Sequence, residues 1–373
     1  MSEDLLPLPG APFGHPLRSL WSLDPGIRFL NHGSFGAAPL HVLAAQARWR
    51  EAMEREPVRF MVDELPPALL AARVRLAGFV GAVPQRLTFV ENATAGANAV
   101  LRSLRWRAGE RIVIADHAYP GVKNAARFVA DRFGLTLVEA RVPWPLPGPE
   151  AVAAAYAEAL AGGARLAIVD HVFAPLAAVS PVEEIVRLCR ARGVPVLVDG
   201  AHAPGMLPLA LDALAEQGMT WYVGNCHKWL CAPKGCGFLY ATPEGQRDLH
   251  PTVVSNFYGE GYEQEFAWPG THDPSARLAV TAAQGPAHVH FVGANVSFRV
   301  QGKTRRRRQW SFHGEPPQRR HAPGKTRSLR VAAKSAGRVV ALLVKRVTID
   351  FVARLAVDAF GRNASDKMNM SRP

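Results

Sequence analysis

From about residue 87 the chain alternates short β-rich apolar runs with helical stretches, the pattern of βα units that build a mostly parallel sheet. The predicted strands are Leu87 to Val90, Arg111 to Ala115, Leu135 to Ala140, Arg165 to Asp170, Val194 to Asp199, Thr220 to Gly224 and Cys236 to Tyr240. Ala95 to Arg105, Gly121 to Arg132, Glu150 to Ala161 and Pro181 to Arg192 are the predicted intervening helices. The last is expected to open with Ser180 as N-cap and Pro181 in the first turn. A chain of 373 residues is too long for one small domain, so an α/β domain with a smaller second one is expected.

Three segments follow from that frame. Residues 1–60 read as an N-terminal arm and a helix of the small domain, the helix lying around His41 to Glu56. Residues 61–280 form the large domain, with Pro143 to Pro149 as a stiff surface loop, because so many prolines fit neither a helix nor a central strand. Residues 281–373 are of a different composition. They hold 19 Lys and Arg against four Asp and Glu, which leaves 25 against 27 for the rest of a chain whose net charge is +13. The basic excess, Arg305 to Arg308 included, therefore belongs to one end and says little about the α/β part. A solvated basic tail is the expectation for it, since no interleaved aromatics support nucleic-acid contact.

No uninterrupted apolar run is long enough to span a bilayer, so no membrane association and a cytoplasmic location are expected. Cys189, Cys226, Cys231 and Cys236 lack the paired spacing of a zinc site, and neither a metal nor a disulfide framework is expected.

The chemistry concentrates in Asp199-Gly200-Ala201-His202 and Gly224-Asn225-Cys226-His227-Lys228-Trp229. An acid at a strand end and a lysine on a turn suit pyridoxal 5'-phosphate (PLP). That cofactor draws electrons only while a carboxylate keeps its pyridine nitrogen protonated and an amine holds its aldehyde. Asp199 and Lys228 supply the two groups.

These words resemble the class V aminotransferase family of fold-type I PLP enzymes, in particular its isopenicillin N epimerase-like branch, with cysteine desulfurases as more distant relatives. The likeness covers about residues 28 to 280. It is carried by Asn31-His32-Gly33-Ser34-Phe35-Gly36, Asn92-Ala93-Thr94-Ala95, Asp116-His117-Ala118-Tyr119, the two segments above, and Pro269-Gly270-Thr271. The fold it implies is a mostly parallel sheet flanked by helices, with a small, incomplete second domain.

The resemblance implies a role for each matching position. Lys228 forms the Schiff base and shuttles the proton at the substrate α-carbon. Asp199 partners the pyridine nitrogen, and His202 lies near the ring and its 3'-oxygen. Ala93, Thr94, Asn225 and His227 meet the phosphate, Ala93 and Thr94 at a helix N-terminus. His117 stacks over the pyridine ring, with Tyr119 in reserve. Asn31, His32 and Gly33 border the substrate, or form a simple turn. Thr271 reaches the phosphate of a neighbouring subunit, which implies a homodimer, although His272 stands where many relatives carry Arg.

Beyond about Thr281 the family words and the acidic residues end together, as a shifted reading frame in a GC-rich gene would produce. A divergent domain or a fused basic tail are the alternatives. Arg330 lies in too thin a match to be assigned as the family's carboxylate-binding arginine. The implied function is PLP-dependent chemistry on an amino acid through an α-carbanion, epimerase-like in the first place. A cysteine-conjugate carbon-sulfur lyase, a desulfurase, an inactive PLP binder and a basic nucleic-acid-binding protein are the alternatives. No cysteine follows Cys236 to serve as a desulfurase nucleophile.

Overall fold

In the computed structural model, which describes residues 15–284, a 16-residue helix, α1 (Leu40–Arg55), a short helix α2 (Pro57–Arg59), a π-turn at Phe60–Glu64 and α3 (Leu65–Val80) precede the first strand. Strands β1 (Leu87–Val90), β2 (Arg111–Ala115), β3 (Thr136–Ala140) and β4 (Leu166–Asp170) follow, separated by α4 (Ala93–Ser103), α5 (Pro120–Phe133) and α6 (Pro149–Ala159). A two-residue pair, β5 (Val172–Phe173) and β6 (Ala178–Val179), leads into α7 (Val182–Arg190), β7 (Val196–Asp199), β8 (Trp221–Asn225) and β9 (Gly237–Ala241).

The main sheet has seven strands in the order β1-β9-β8-β7-β4-β2-β3. β9 runs antiparallel to both its neighbours, and the other pairings are parallel. Strands such as Leu166–Asp170 and Val196–Asp199 are apolar up to their last residue and buried throughout, as parallel strands covered on both faces must be.

The helices on these faces are amphipathic at helical spacing. In α7, Val182, Ile185, Val186 and Cys189 are buried, while Glu183, Glu184, Arg187 and Arg190 fall on other faces. Burying Ile185 and Val186 stabilises the domain by roughly 1.5–3 kcal/mol each. α3 and α5 stop at Gly81 and Gly134, both left-handed at φ 66°, where an L side chain would be strained.

Strand direction positions the site. The carboxyl ends of β1, β2, β4, β7 and β8 lie along one edge, and the chain leaves β2 and β4 in opposite directions, towards β3 and towards β7. That reversal opens the crevice in which sheets of this kind bind ligands.

Most predicted strands and helices lie within a residue or two of those observed. Two expectations change and one strand pair is added. Ser180 is not the N-cap of α7: it is buried with its hydroxyl unpaired among the described residues, and Pro181 takes the cap position without a side-chain hydrogen bond. Pro149 leaves the proline loop and opens α6, a place that a residue without an N–H tolerates well. The β5–β6 pair is too short to announce itself by alternation.

Helix α1 packs on Ser275–Leu278 and Val280–Ala283, which in turn pack on α3. From residue 285 onward the basic segment, its shifted-frame reading and Arg330 lie outside the described residues. No helix among the described residues is long and apolar enough to cross a membrane.

Candidate active site

Asp199 ends β7, 4 % exposed, with Oδ1 accepting the Ala201 N–H at 3.0 Å. Burial pushes its carboxyl above the usual range; the Ala201 amide and the charge of Lys228 pull the other way without cancelling the rise. In register on the adjacent strand stands Asp170. Its Oδ1 accepts the Tyr119 N–H at 3.3 Å, and its buried Oδ2 has no partner among the described residues. Burial, and then the neighbouring Asp199, hold the Asp170 carboxyl well above its ordinary value.

Lys228 sits on the turn that leaves β8. The turn is closed by backbone bonds from Cys226 and His227 to the Cys236 carbonyl, and from Cys231 to the Lys228 carbonyl. The half-buried Nζ is 3.1 Å from His202 Nε2 and 5.8 Å from the centroid of the Tyr119 ring. Burial lowers the ammonium below its ordinary range, and the charge of Asp199 only partly opposes this. His202 in turn receives the Trp229 indole N–H on Nδ1 at 3.3 Å. Burial and then Lys228 bring its imidazole down to about 4.

The remaining predicted contacts divide. Asn225 is buried, and its Oδ1 accepts the Ala93 N–H at 2.8 Å, while Asn92 Oδ1 accepts the Ala95 N–H at 2.9 Å. The Ala93 amide is thus engaged by Asn225. Thr94 lies between these two bonded amides in the first turn of an 11-residue helix, whose positive end favours an anion. His227 donates Nδ1–H to the Cys236 carbonyl at 2.9 Å.

His117 Nε2–H donates to the Val142 carbonyl at 3.1 Å, a bond in the plane of the ring, and the ring of Tyr119, the reserve, lies 5.8 Å from Lys228 Nζ. The Asn31 side chain bonds both the amide and the hydroxyl of Ser34, closing a turn. His32 is buried edge-on against Phe29 and 3.5 Å from Cys231 Sγ. Two of that trio border the site: the His32 ring centroid lies 6.1 Å from that of Trp229, and a Cβ on Gly33 would sit 3.1 Å from the His202 and Trp229 rings. Gly36 lies so close to the lysine turn that a Cβ would fall 2.2 Å from the His227 carbonyl and 2.6 Å from that of Lys228. Thr271, expected at the phosphate of a neighbouring subunit, is exposed on a groove lined by Phe89, Phe266, Trp268 and Arg277.

Two residues escaped the sequence reading, Asp170 as a second buried acid and Trp229 as a donor to His202. The signal available for Asp170 was a second apolar strand ending in aspartate.

Residues 48–266 match the family model Aminotransferase class-V. An L-cysteine desulfhydrase of Arabidopsis thaliana is 34 % identical over 72 % of this chain and 61 % of its own length. An isopenicillin N epimerase of Streptomyces clavuligerus is 37 % identical over 63 % of this chain and 58 % of its own. The chain thus spans about three fifths of the length of the curated relatives it matches. Among solved structures, a cystine C-S lyase in complex with its product cysteine persulfide superposes with a TM-score of 0.62 at 27 % identity. That match covers 71 % of this chain and 75 % of the lyase. A variant of that lyase with glycine covalently linked to its PLP cofactor gives a TM-score of 0.60 at 26 % identity, over 72 % of this chain and 75 % of the variant.

Proposed function

Since this chain belongs to the class V aminotransferase family, we propose that its crevice holds PLP on Lys228 and labilises the α-carbon of an amino acid, cysteine or a cysteine conjugate in the first place. The observation that carries this is a lysine Nζ bonded to His202 in a half-buried crevice with the buried Asp199 close enough to act on its charge.

The residues present fit the cofactor. Asp199 is a desolvated carboxyl whose burial favours a cationic partner, which a protonated pyridine nitrogen would be. Thr94 at the head of α4 offers a hydroxyl and a favourable dipole to a phosphate. His227 has Nδ1 committed to the Cys236 carbonyl, so it can donate to that phosphate only from Nε2, after taking up a proton. Lys228 supplies the amine that would hold the aldehyde, and Tyr119 roofs it.

Bound there, PLP supplies a sink for the electron pair that a broken bond leaves on the substrate α-carbon. The chain's own part is acid–base chemistry. Lys228 Nζ takes the α-proton, and burial, by lowering its ammonium below the ordinary range, favours the free amine that does so. With a cysteine substrate, loss of that proton lets the Cβ–S bond break, the sulfur leaving with the bonding pair; addition of water then yields pyruvate and ammonia beside sulfide. The relatives that support this outcome are the desulfhydrase at 34 % and the C-S lyase at 27 % identity. The epimerase at 37 % identity supports a second reading, return of the proton to the other face of the same carbon.

One experiment covers these readings. The full chain loaded with PLP is reduced with borohydride and mapped by mass spectrometry, and the unreduced enzyme is assayed with L-cysteine and L-cystine for sulfide, persulfide and pyruvate. A phosphopyridoxyl group on Lys228 and sulfur release are expected. Label on no lysine, or on another one, would overturn the site. Inversion in deuterated water without sulfur release would replace the lyase reading with the epimerase one.

A further inference from the structure

The hydrogen bonds around His202 determine where its proton sits. An indole N–H can only donate, so the His202 Nδ1 that receives Trp229 Nε1–H must carry a lone pair. An imidazolium has no such lone pair, and neither does the tautomer protonated at Nδ1. His202 is therefore neutral with its proton on Nε2, the nitrogen 3.1 Å from Lys228 Nζ. An ammonium group also only donates. Two donors cannot share a hydrogen bond, so the contact requires Lys228 to be the neutral amine, its lone pair accepting from His202.

We propose that Trp229 is a positioning residue: its indole N–H fixes the His202 tautomer, and His202 in turn selects the free-amine form of Lys228. The charges around the pair are compatible with this. Lys234 lies near His227 and His32 and disfavours further cations there, and His227 feels Lys228 in the same sense. Asp199 alone favours an ammonium on Lys228, and burial outweighs it. Gly33 brings backbone beside the same ring: a Cβ there would sit 3.1 Å from His202 Cε1 and Nδ1. When Lys228 is engaged elsewhere, the same Nε2–H remains as a donor to an electron-rich atom in its place.

Trp229 thus acts on the reactive nitrogen through one intermediary. The consequence for cofactor capture rests on the function proposed above; the tautomer does not.

The test is histidine-selective ¹⁵N NMR on the full chain, with and without PLP, the His202 signals identified by their absence from His202→Gln. The wild-type ring is expected to be neutral and protonated on Nε2 from neutral pH down to about pH 5. An imidazolium at neutral pH, or an Nδ1–H tautomer, would overturn the proposal in the wild type alone. Trp229→Phe keeps an aromatic ring and removes the donor. It is expected to give a mixture of tautomers and to slow capture of PLP by Lys228 about tenfold at neutral pH, the effect of one pH unit on the free-amine fraction. A folded Trp229→Phe protein with an unchanged ring and unchanged capture rate would equally overturn it. Should PLP fail to bind while the ring shows the expected tautomer, the cofactor reading falls and the tautomer assignment stands.

Discussion

Asp170 stands opposite Asp199 in register at the ends of adjacent parallel strands, so two buried carboxyl groups share one wall of the crevice. Only one of them has an evident task towards a cation. The other anchors the Tyr119 amide, which starts α5 and carries the ring over Lys228.

Asp170→Asn keeps an oxygen for the Tyr119 amide and removes the second acid. The folded state holds the Asp170 proton more tightly than the unfolded chain does, so the wild type loses stability as pH rises above the ordinary carboxylate value of about 4. The variant is expected to escape that loss. Its stability relative to wild type should grow by up to about 1.4 kcal/mol per pH unit over the first units above pH 4, measured by urea unfolding. A constant difference across pH would mean that the Asp170 carboxyl is not perturbed.

Asp199→Asn preserves the acceptor for Ala201 and takes away only the charge. The unfolding midpoint of the cofactor-free protein should not fall at neutral pH, because the variant no longer buries a carboxyl whose proton the folded state holds more tightly. Affinity for PLP should fall by about 10²- to 10⁴-fold, the 3–5 kcal/mol that breaking a buried ion pair costs. A spectrophotometric titration gives the number, and a loss below tenfold would remove Asp199 from the cofactor's cation.

How far the sequence led depends on whether a signal was local. The apolar runs ending at Asp170, Asp199 and Asn225 were legible because a doubly covered parallel strand writes its burial into consecutive residues. The neighbours of each strand were not legible, since the partner of Asp170 is 29 positions away and only the register brings the two together. Trp229 stood inside a recognised word, yet its partner His202 lies 27 positions upstream and the bond depends on two side-chain rotamers. Ala93 and His117 stand just past strand ends, and the bonds from the Ala93 amide to Asn225 and from the His117 ring to the Val142 carbonyl depend on packing that no local pattern announces.

Half-buried His171, which shares a 2.9 Å hydrogen bond between Nδ1 and the Tyr222 hydroxyl, is held by desolvation of its ring from 6.5 down to about 4. The unfolded chain takes up that proton first as pH falls, so this group's contribution to stability is complete above pH 6.5 and is lost towards pH 4. His171→Asn is expected to flatten the acid limb by up to about 1.4 kcal/mol per pH unit in that window. Chemical denaturation at several pH values checks it, and parallel acid limbs for the two proteins would refute it.

Gly36→Ala puts a methyl group into backbone atoms of His227 and Lys228. Overpacking of this kind costs about 1–3 kcal/mol. The variant should melt earlier and, because the arm is pushed off the lysine turn, expose Lys228 to amine-modifying reagents faster than wild type. Equal modification rates would show that the arm does not shield the turn.

The arm also sets a clock. Lys234 Nζ donates to the Gly36 carbonyl across 198 positions of chain, and Gly33 and Gly36 rest on the histidines and lysine between. At a synthesis rate of ~5–20 residues per second, about 10–40 s pass between the making of one side of that contact and the other. Through that interval the arm has nothing to lie on. Long-range contacts of this kind are among the last to form in a folding domain, so a ribosome must deliver almost the entire α/β unit before a cofactor can find a lysine with its surroundings in place.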